Sequence, residues 1–235
     1  ESRVSGPLLP LRIVRDRARA AAYVAIGTSG VALFAALLFL TYYLQQILGY
    51  SPLRTGLAFV PLSAASVATS MTANIVLLGR FGPRRLLTAG LVLGAAAMCW
   101  LTRLTPDSGY AGGVLVAMAV LGVAMGCVAA PAIATATHGV APQDAGVASA
   151  MVNTMQQVSG SVGTALLSSI FASAVASRLA GRRLGPRAVA AATVHGYSVG
   201  FWVAAGCFVL GAAAVLMLMP AGDPVSAETP APVEA

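Results

Sequence analysis

Six stretches of almost unbroken apolar sequence leave this chain few options. They run over residues 21–44, 56–78, 86–102, 112–136, 146–175 and 197–219. About 20 such residues cross the hydrocarbon core of a bilayer as a helix. In lipid every backbone N–H and C=O must find its partner inside the segment, so helices are the form such spans take. The breaks between them read GYSPLRTG, GRFGPRR, RLTPDSGY and THGVAPQD, with an arginine-bearing segment from Arg178 to Arg187 before the last span. Each holds residues that stop helices or resist lipid. The expected fold is an all-α membrane protein, a six-transmembrane-helix bundle over residues 20–219. A basic linker (1–19) precedes it and an acidic, disordered tail (220–235) follows; both are expected in the cytoplasm.

Composition agrees. Only 9% of the 235 residues are charged, against about 25% in a soluble domain. The net charge of +7 does not point to nucleic acid. The arginines sit in the gaps between spans, as membrane topology arranges them. With the N-terminus inside, Arg3, Arg12, Arg15, Arg17, Arg19, Arg80, Arg84 and Arg85 are cytoplasmic. Arg54, Arg103, Arg178, Arg182, Arg183 and Arg187 are then outside, eight against six, and both ends of the chain lie in the cytoplasm. Cys99, Cys127 and Cys207 each lie within an apolar run, and no spacing suggests a metal or disulfide site. Nothing calls for a cofactor. The chain opens on Glu1 with no signal peptide before the first span, and reads as a piece of something longer.

One echo is internal. Pro52, Gly56 and Ala58 open the second span, and Pro142, Gly146 and Ala148 open the fifth at the same offsets. Three spans separate the copies, so they enter from opposite faces, as in an inverted three-plus-three repeat.

The polar residues are sorted unevenly. The second span carries Ser63, Ser66, Thr69, Ser70, Thr72 and Asn74; the third and sixth are nearly bare and are expected to face lipid. In the fifth, Ser149, Asn153, Gln156, Gln157, Gly160, Thr164 and Ser168 fall on one arc of about 120°. Val147, Met151, Val158 and Leu166 lie on the opposite arc. An unpartnered amide in hydrocarbon costs several kcal/mol, so the arc needs a role. It is either inter-helix glue or the wall of a wetted cavity, and the two are compatible. Gly160 and Gly163, with Gly122 and Gly126 in the fourth span, are expected to let helices approach closely. Pro131 and Pro61 are expected to bend their spans. No carboxylate or histidine lies at mid-membrane depth, where a proton relay would need one.

Tyr42 to Leu57, reading YYLQQILGYSPLRTGL, resembles the segment after the first helix of the C-terminal bundle in major facilitator superfamily drug:proton antiporters of the fourteen-span type. Ala145–Ser149 with Asn153, Gln156, Gln157, Gly160 and Gly163 is similar to the penultimate helix of that family. Gly79–Arg85, with Arg80, Gly82, Arg84 and Arg85, resembles a degenerate copy of its loop signature; glycine stands where the aspartate would be. The likeness runs from about Pro7 to Met219. It implies one half of a transporter, completed by an N-terminal half of six or eight helices bearing the coupling carboxylates. It also implies a central cavity and proton-coupled efflux by alternating access, with the first and fourth helices lining that cavity. The second and fifth would flank the bundle interface. On that resemblance the residues of the substrate cavity or the bundle interface are Tyr42, Gln45, Met118, Met125, Ser149, Asn153, Gln156, Gln157 and Gly160. Such a neutral, adaptable surface suits lipophilic or amphipathic small molecules.

Two other classes compete. Gly27-Thr28-Ser29-Gly30 has the form of a serine-protease motif, but neither His138 nor His195 is expected at its depth, so no enzyme is expected. A stand-alone six-helix scaffold, or a half-size carrier acting as a dimer, is the remaining alternative.

Overall fold

A computed structural model describes residues 16–180 and 185–220. The expected linker and tail therefore fall almost entirely outside the described residues, as do Arg182 and Arg183. Six principal helices are described: α1 (Arg17–Tyr42), α2 (Val60–Thr72), α3 (Leu78–Leu101), α4 (Leu115–Thr137), α5 (Ala145–Leu179) and α6 (Pro186–Leu218). A short helix, Pro52–Ala58, leads into α2. Single π-turns extend α1 (Tyr43–Ile47) and α2 (Ala73–Leu77) and precede α4 (Tyr110–Val114).

Five helical runs are long and apolar enough to cross a membrane, and one of them, Pro52–Leu101, has 50 residues. At 1.5 Å per residue that is about 75 Å, more than twice a hydrocarbon core of about 30 Å. The run is two crossings. Gly82 breaks it with φ 73° and ψ 161°, followed by Pro83. Contacts give the directions. Tyr110 Oη donates to Ala58 O at 2.8 Å, and Gly126 faces Ser66 and Thr69, so α2 runs parallel to α4. Gly90 faces Ala124 and Cys127 while Trp100 Nε1 donates to Gly113 O at 3.1 Å, so α3 runs antiparallel to it. The chain reverses at Gly82, where an L-side chain would be strained. The chain is thus a multi-pass membrane protein with alternating crossings. Its proximal end holds Arg19, Gly82 and His138; the distal end holds Ser51, Thr105 and Ala180.

The main pairings map onto one another when the first three helices are exchanged with the last three, except that α5 packs on α6 whereas α2 and α3 scarcely touch. Parallel α2 packs on α4, and parallel α5 on α1; antiparallel α3 packs on α4, and antiparallel α6 on α1. The opening echo shares its environment too. Ala58 and Ala148 are buried, and Gly56 and Gly146 are exposed with open space around them. This is the inverted repeat in three dimensions.

The core lies among α1, α3, α4 and α6. Phe39 of α1 meets Phe201 edge-on at 6.0 Å between ring centroids and Tyr197 at 5.7 Å. With alanines along α1 and glycines along α4, these helices sit close enough to exclude everything but side chains. Outward, α3 presents Val92, Leu93 and Trp100, and α6 presents Trp202, Val209, Leu210 and Met217, all exposed and apolar.

Three expectations are adjusted. α6 begins at Pro186, eleven residues before the apolar run at 197. Proline suits the first helical turn and Ala-rich AVAAAT continues it, although the bilayer's apolar signal starts later. α4 runs unbroken through Pro131, whereas Pro61 does sit at a break, between Phe59 and the first turn of α2. The second span's polar residues also divide. Ser66, Thr69 and Ser70 are turned onto α4 at Gly126, leaving Ser63, Thr72 and Asn74 exposed.

Candidate functional site

α5 touches the bundle along a narrow stripe. Of its 35 residues only Ala148, Val152, Ser159, Gly163 and Leu167 are buried. Its proximal part is made by small residues, and toward the distal end Phe171 stacks on Tyr197 of α6 at 5.1 Å. A Cβ on Gly163 would lie 3.0 Å from the backbone of Val31, and one on Gly30 would lie 2.7 Å from Ser159 Cβ. Gly27 and Gly30 thus form the seat for Ser159 of α5. Between them the Ser29 hydroxyl is buried and donates to Ala25 O of its own helix at 2.6 Å. The apparent protease motif is a packing notch. His138 lies in the proximal loop and His195 on α6, nearer the distal end, neither beside it.

Away from that stripe α5 is open. Ser149, Asn153, Gln156, Gln157 and Thr164 are exposed, with Gly160 half-buried beneath the Phe34 ring. The hydroxyls and the amides differ in kind. Thr154 donates to Ala150 O at 2.8 Å, Ser161 to Gln157 O at 3.1 Å and Ser169 to Ala165 O at 2.9 Å. Ser159 does the same to Met155 O. These four hydroxyls are satisfied one turn back along their own helix, whereas those of Ser149, Thr164 and Ser168 make no hydrogen bond among the described residues. Among the described residues none bonds to the side chains of Asn153, Gln156 or Gln157. These amides keep two donors and an acceptor each for whatever lies outside. Within this bundle they join no helices. The arc opposite is not buried either: Val158, Val162 and Leu166 are about half exposed, because one stripe cannot cover a whole helix.

The other expected contact residues do not gather here. Tyr42 and Gln45 are exposed, but at the distal end of α1, whose residue 39 is level with Phe171. That places them on the order of 20–30 Å along the axis from Asn153 and Gln157. Met118 and Met125 are buried in α4, at 0% and 8% exposure, and line no open surface. Gln46, passed over in the sequence, accepts from Tyr197 Oη at 3.3 Å and ties α1 to α6. The partners are 151 residues apart, so no local pattern announces them.

The Gly79–Arg85 loop makes the reversal at Gly82. Arg84 Nη2 donates to Leu216 O at 2.7 Å, holding the end of α6, while Arg80 stacks on Phe81 and Arg85 is exposed. Gly122 and Gly126 bring α2 onto α4: a Cβ on Gly126 would lie 2.6 Å from Thr69 Cβ. Among the described residues there is no metal-ligating cluster.

Residues 2–164 match the Major Facilitator Superfamily. The chain is similar to the puromycin resistance protein pur8 of Streptomyces alboniger, 42% identical over 97% of this chain and 46% of that protein. It is 34% identical to the cephamycin export protein CmcT of Amycolatopsis lactamdurans, over 72% of this chain and 35% of that one. It is 33% identical to the tetracenomycin C resistance and export protein of Streptomyces glaucescens, over 81% and 36%. The chain spans about half the length of the curated relatives it matches, or less.

Proposed function

The chain belongs to the Major Facilitator Superfamily, and from that premise we propose that it forms the C-terminal bundle of a secondary transporter of the fourteen-span type. That transporter exports lipophilic or amphipathic small molecules across the cell membrane. The observation that carries this reading is the amide face of α5: Asn153, Gln156 and Gln157 stand exposed and unbonded on a helix long and apolar enough to cross a membrane. Left against hydrocarbon they would be costly. A second bundle and a solute-filled cavity between the two provide the environment they need. Resistance and export proteins among the relatives support the direction of transport.

On this reading α5 and the open side of α2 flank the bundle interface, and α3 and α6 face lipid. Tyr42 and Gln45 meet solute near the distal mouth, and Met118 and Met125 act from behind the cavity wall as adaptable packing. The proximal end, with Arg17, Arg19, Arg80, Arg84 and Arg85, is the cytoplasmic one, so both ends of the chain are inside. Neutral contacts orient the solute here, and the proton-coupling carboxylates belong to the N-terminal half. Alternating access then rocks one bundle on the other.

The test uses full-length protein in proteoliposomes with an imposed pH gradient. Gradient-driven movement of puromycin or a lipophilic dye is expected, abolished by a protonophore. Uptake of either solute independent of the gradient would end the proton-coupled reading.

A further inference from the structure

At the proximal end the helices part around a cavity of about 1240 Å³, between the start of α1, the Gly82 reversal and the ends of α4 and α6. Among the described residues four guanidinium groups line it, from Arg19, Arg80, Arg84 and Arg85, and one carboxylate, that of Asp16. Asp16 Oδ1 already accepts from the backbone N–H of Arg19 at 2.9 Å, capping α1. Among the described residues no carboxylate pairs with any of the four arginines. Arg19 Nη2 donates to the carbonyls of His138 and Gly139 at 3.3 and 3.2 Å, which fixes its position. The Nε donors of Arg19 and Arg84 are buried with no partner. Among the described residues positive charge is concentrated here without a compensating carboxylate, and most of twenty N–H donors are unused.

The wall beside this charge is apolar. Phe81, Val92 and Leu216 line the cavity and are each about half exposed. They continue into the lipid faces of α3 and α6. A cationic floor at the depth of the helix ends, joined to a hydrocarbon wall, is complementary to an amphiphile with an anionic head. A soluble anion would match only the floor. We propose that this basin binds the phosphate headgroup of an anionic phospholipid, with an acyl chain lying along α3 and α6. Guanidinium forks bind phosphate oxygens in pairs, and basic pockets between helix ends hold such headgroups. The site stands apart from the amide face of α5 and does not depend on what solute is carried.

Native mass spectrometry of the purified full-length protein tests this. The probes are phosphatidylglycerol, phosphatidylcholine and glycerol 3-phosphate. Retention of phosphatidylglycerol over phosphatidylcholine is expected, with no displacement by glycerol 3-phosphate. Arg80→Gln with Arg85→Gln changes two exposed side chains that make no hydrogen bond, and should weaken retention about 30-fold. Arg103→Gln, exposed at the distal end, should leave it unchanged. Equal loss in Arg103→Gln, or displacement by glycerol 3-phosphate, overturns the proposal. So does retention that appears only when Asp223, Glu228 and Glu234 are neutralised, since the chain's own carboxylates would then be the occupant. A thermal unfolding midpoint shared by all variants separates these outcomes from misfolding.

Discussion

The second and fifth helices occupy matching places in the inverted repeat, yet they use their polar residues in opposite ways. Both are peripheral, and each meets a parallel neighbour across glycines: α2 on α4 at Gly122 and Gly126, α5 on α1 at Gly27, Gly30 and Gly163; α5 is also held by antiparallel α6, where Phe171 stacks on Tyr197. α2 brings the Thr69 side chain and the backbone of Ser66 and Ser70 into that contact, and all three residues are half-buried there. α5 turns in Ser159 alone and leaves its amides outside. The repeat therefore dictates where the helices sit, and the side chains decide what each exposed face does. One half of the repeat builds a joint while the other offers hydrogen bonds.

The sharpest way to break this comparison is at the glycine seats. Gly126→Leu drives a side chain into Thr69 and the backbone of Ser66 and Ser70, and should destabilise the bundle by about 3 kcal/mol or more. Gly160→Ala meets only the Phe34 ring at 3.0 Å, which can swing aside, and should cost less than about 1 kcal/mol. Thermal unfolding in detergent reads both, and equal costs would erase the distinction between a backbone seat and a side-chain one. Next comes the amide face. Asn153→Ala with Gln157→Ala removes two neutral hydrogen-bonding groups, and efflux of some substrates should fall about tenfold at unchanged unfolding temperature. Asn74→Ala on α2 should change transport far less. A loss of stability instead of transport would make the α5 amides glue across the bundle interface.

Smaller effects separate local from external bonding. Ser51 Oγ accepts from Arg54 N at 3.3 Å at the start of the short helix before α2, so Ser51→Ala should cost about 1 kcal/mol in the same unfolding assay. Ser161→Ala on α5 removes a hydroxyl bonded only to its own helix, and both stability and transport should stay within about 0.5 kcal/mol of the starting protein. A transport defect there would show that hydroxyls, not only amides, reach the solute.

The six crossings were legible because apolar length is a property of each segment alone. The exposure of Asn153 and Gln157 was legible for a similar reason: helical periodicity places them on one arc. What escaped depends on partners distant in sequence. Nothing near Met118 or Met125 distinguishes a packed thioether from one facing a cavity, and both lie in the core. Ser66 and Thr69 look as available as Asn153 until Gly126 is found against them. The start of α6 at Pro186 was missed because hydropathy reports where lipid begins, whereas helical hydrogen bonds continue past it. Gly27-Thr28-Ser29-Gly30 was legible as a motif and misleading as chemistry, since its glycines receive Ser159.

The narrow stripe that attaches α5 has a mechanical consequence. Where Gly27, Gly30 and Gly163 make the contact, α5 meets little resistance to rolling or sliding by a fraction of a turn, whereas Phe171, stacked on Tyr197 at 5.1 Å, pins its distal part. Four close-packed helices behind it, locked by Phe39, Tyr197 and Phe201, cannot move that way without opening voids. Compliance is thus placed in the proximal part of α5 and stiffness behind it and at Phe171, so a second body moving against α5 would swing that part of one helix about its aromatic anchor.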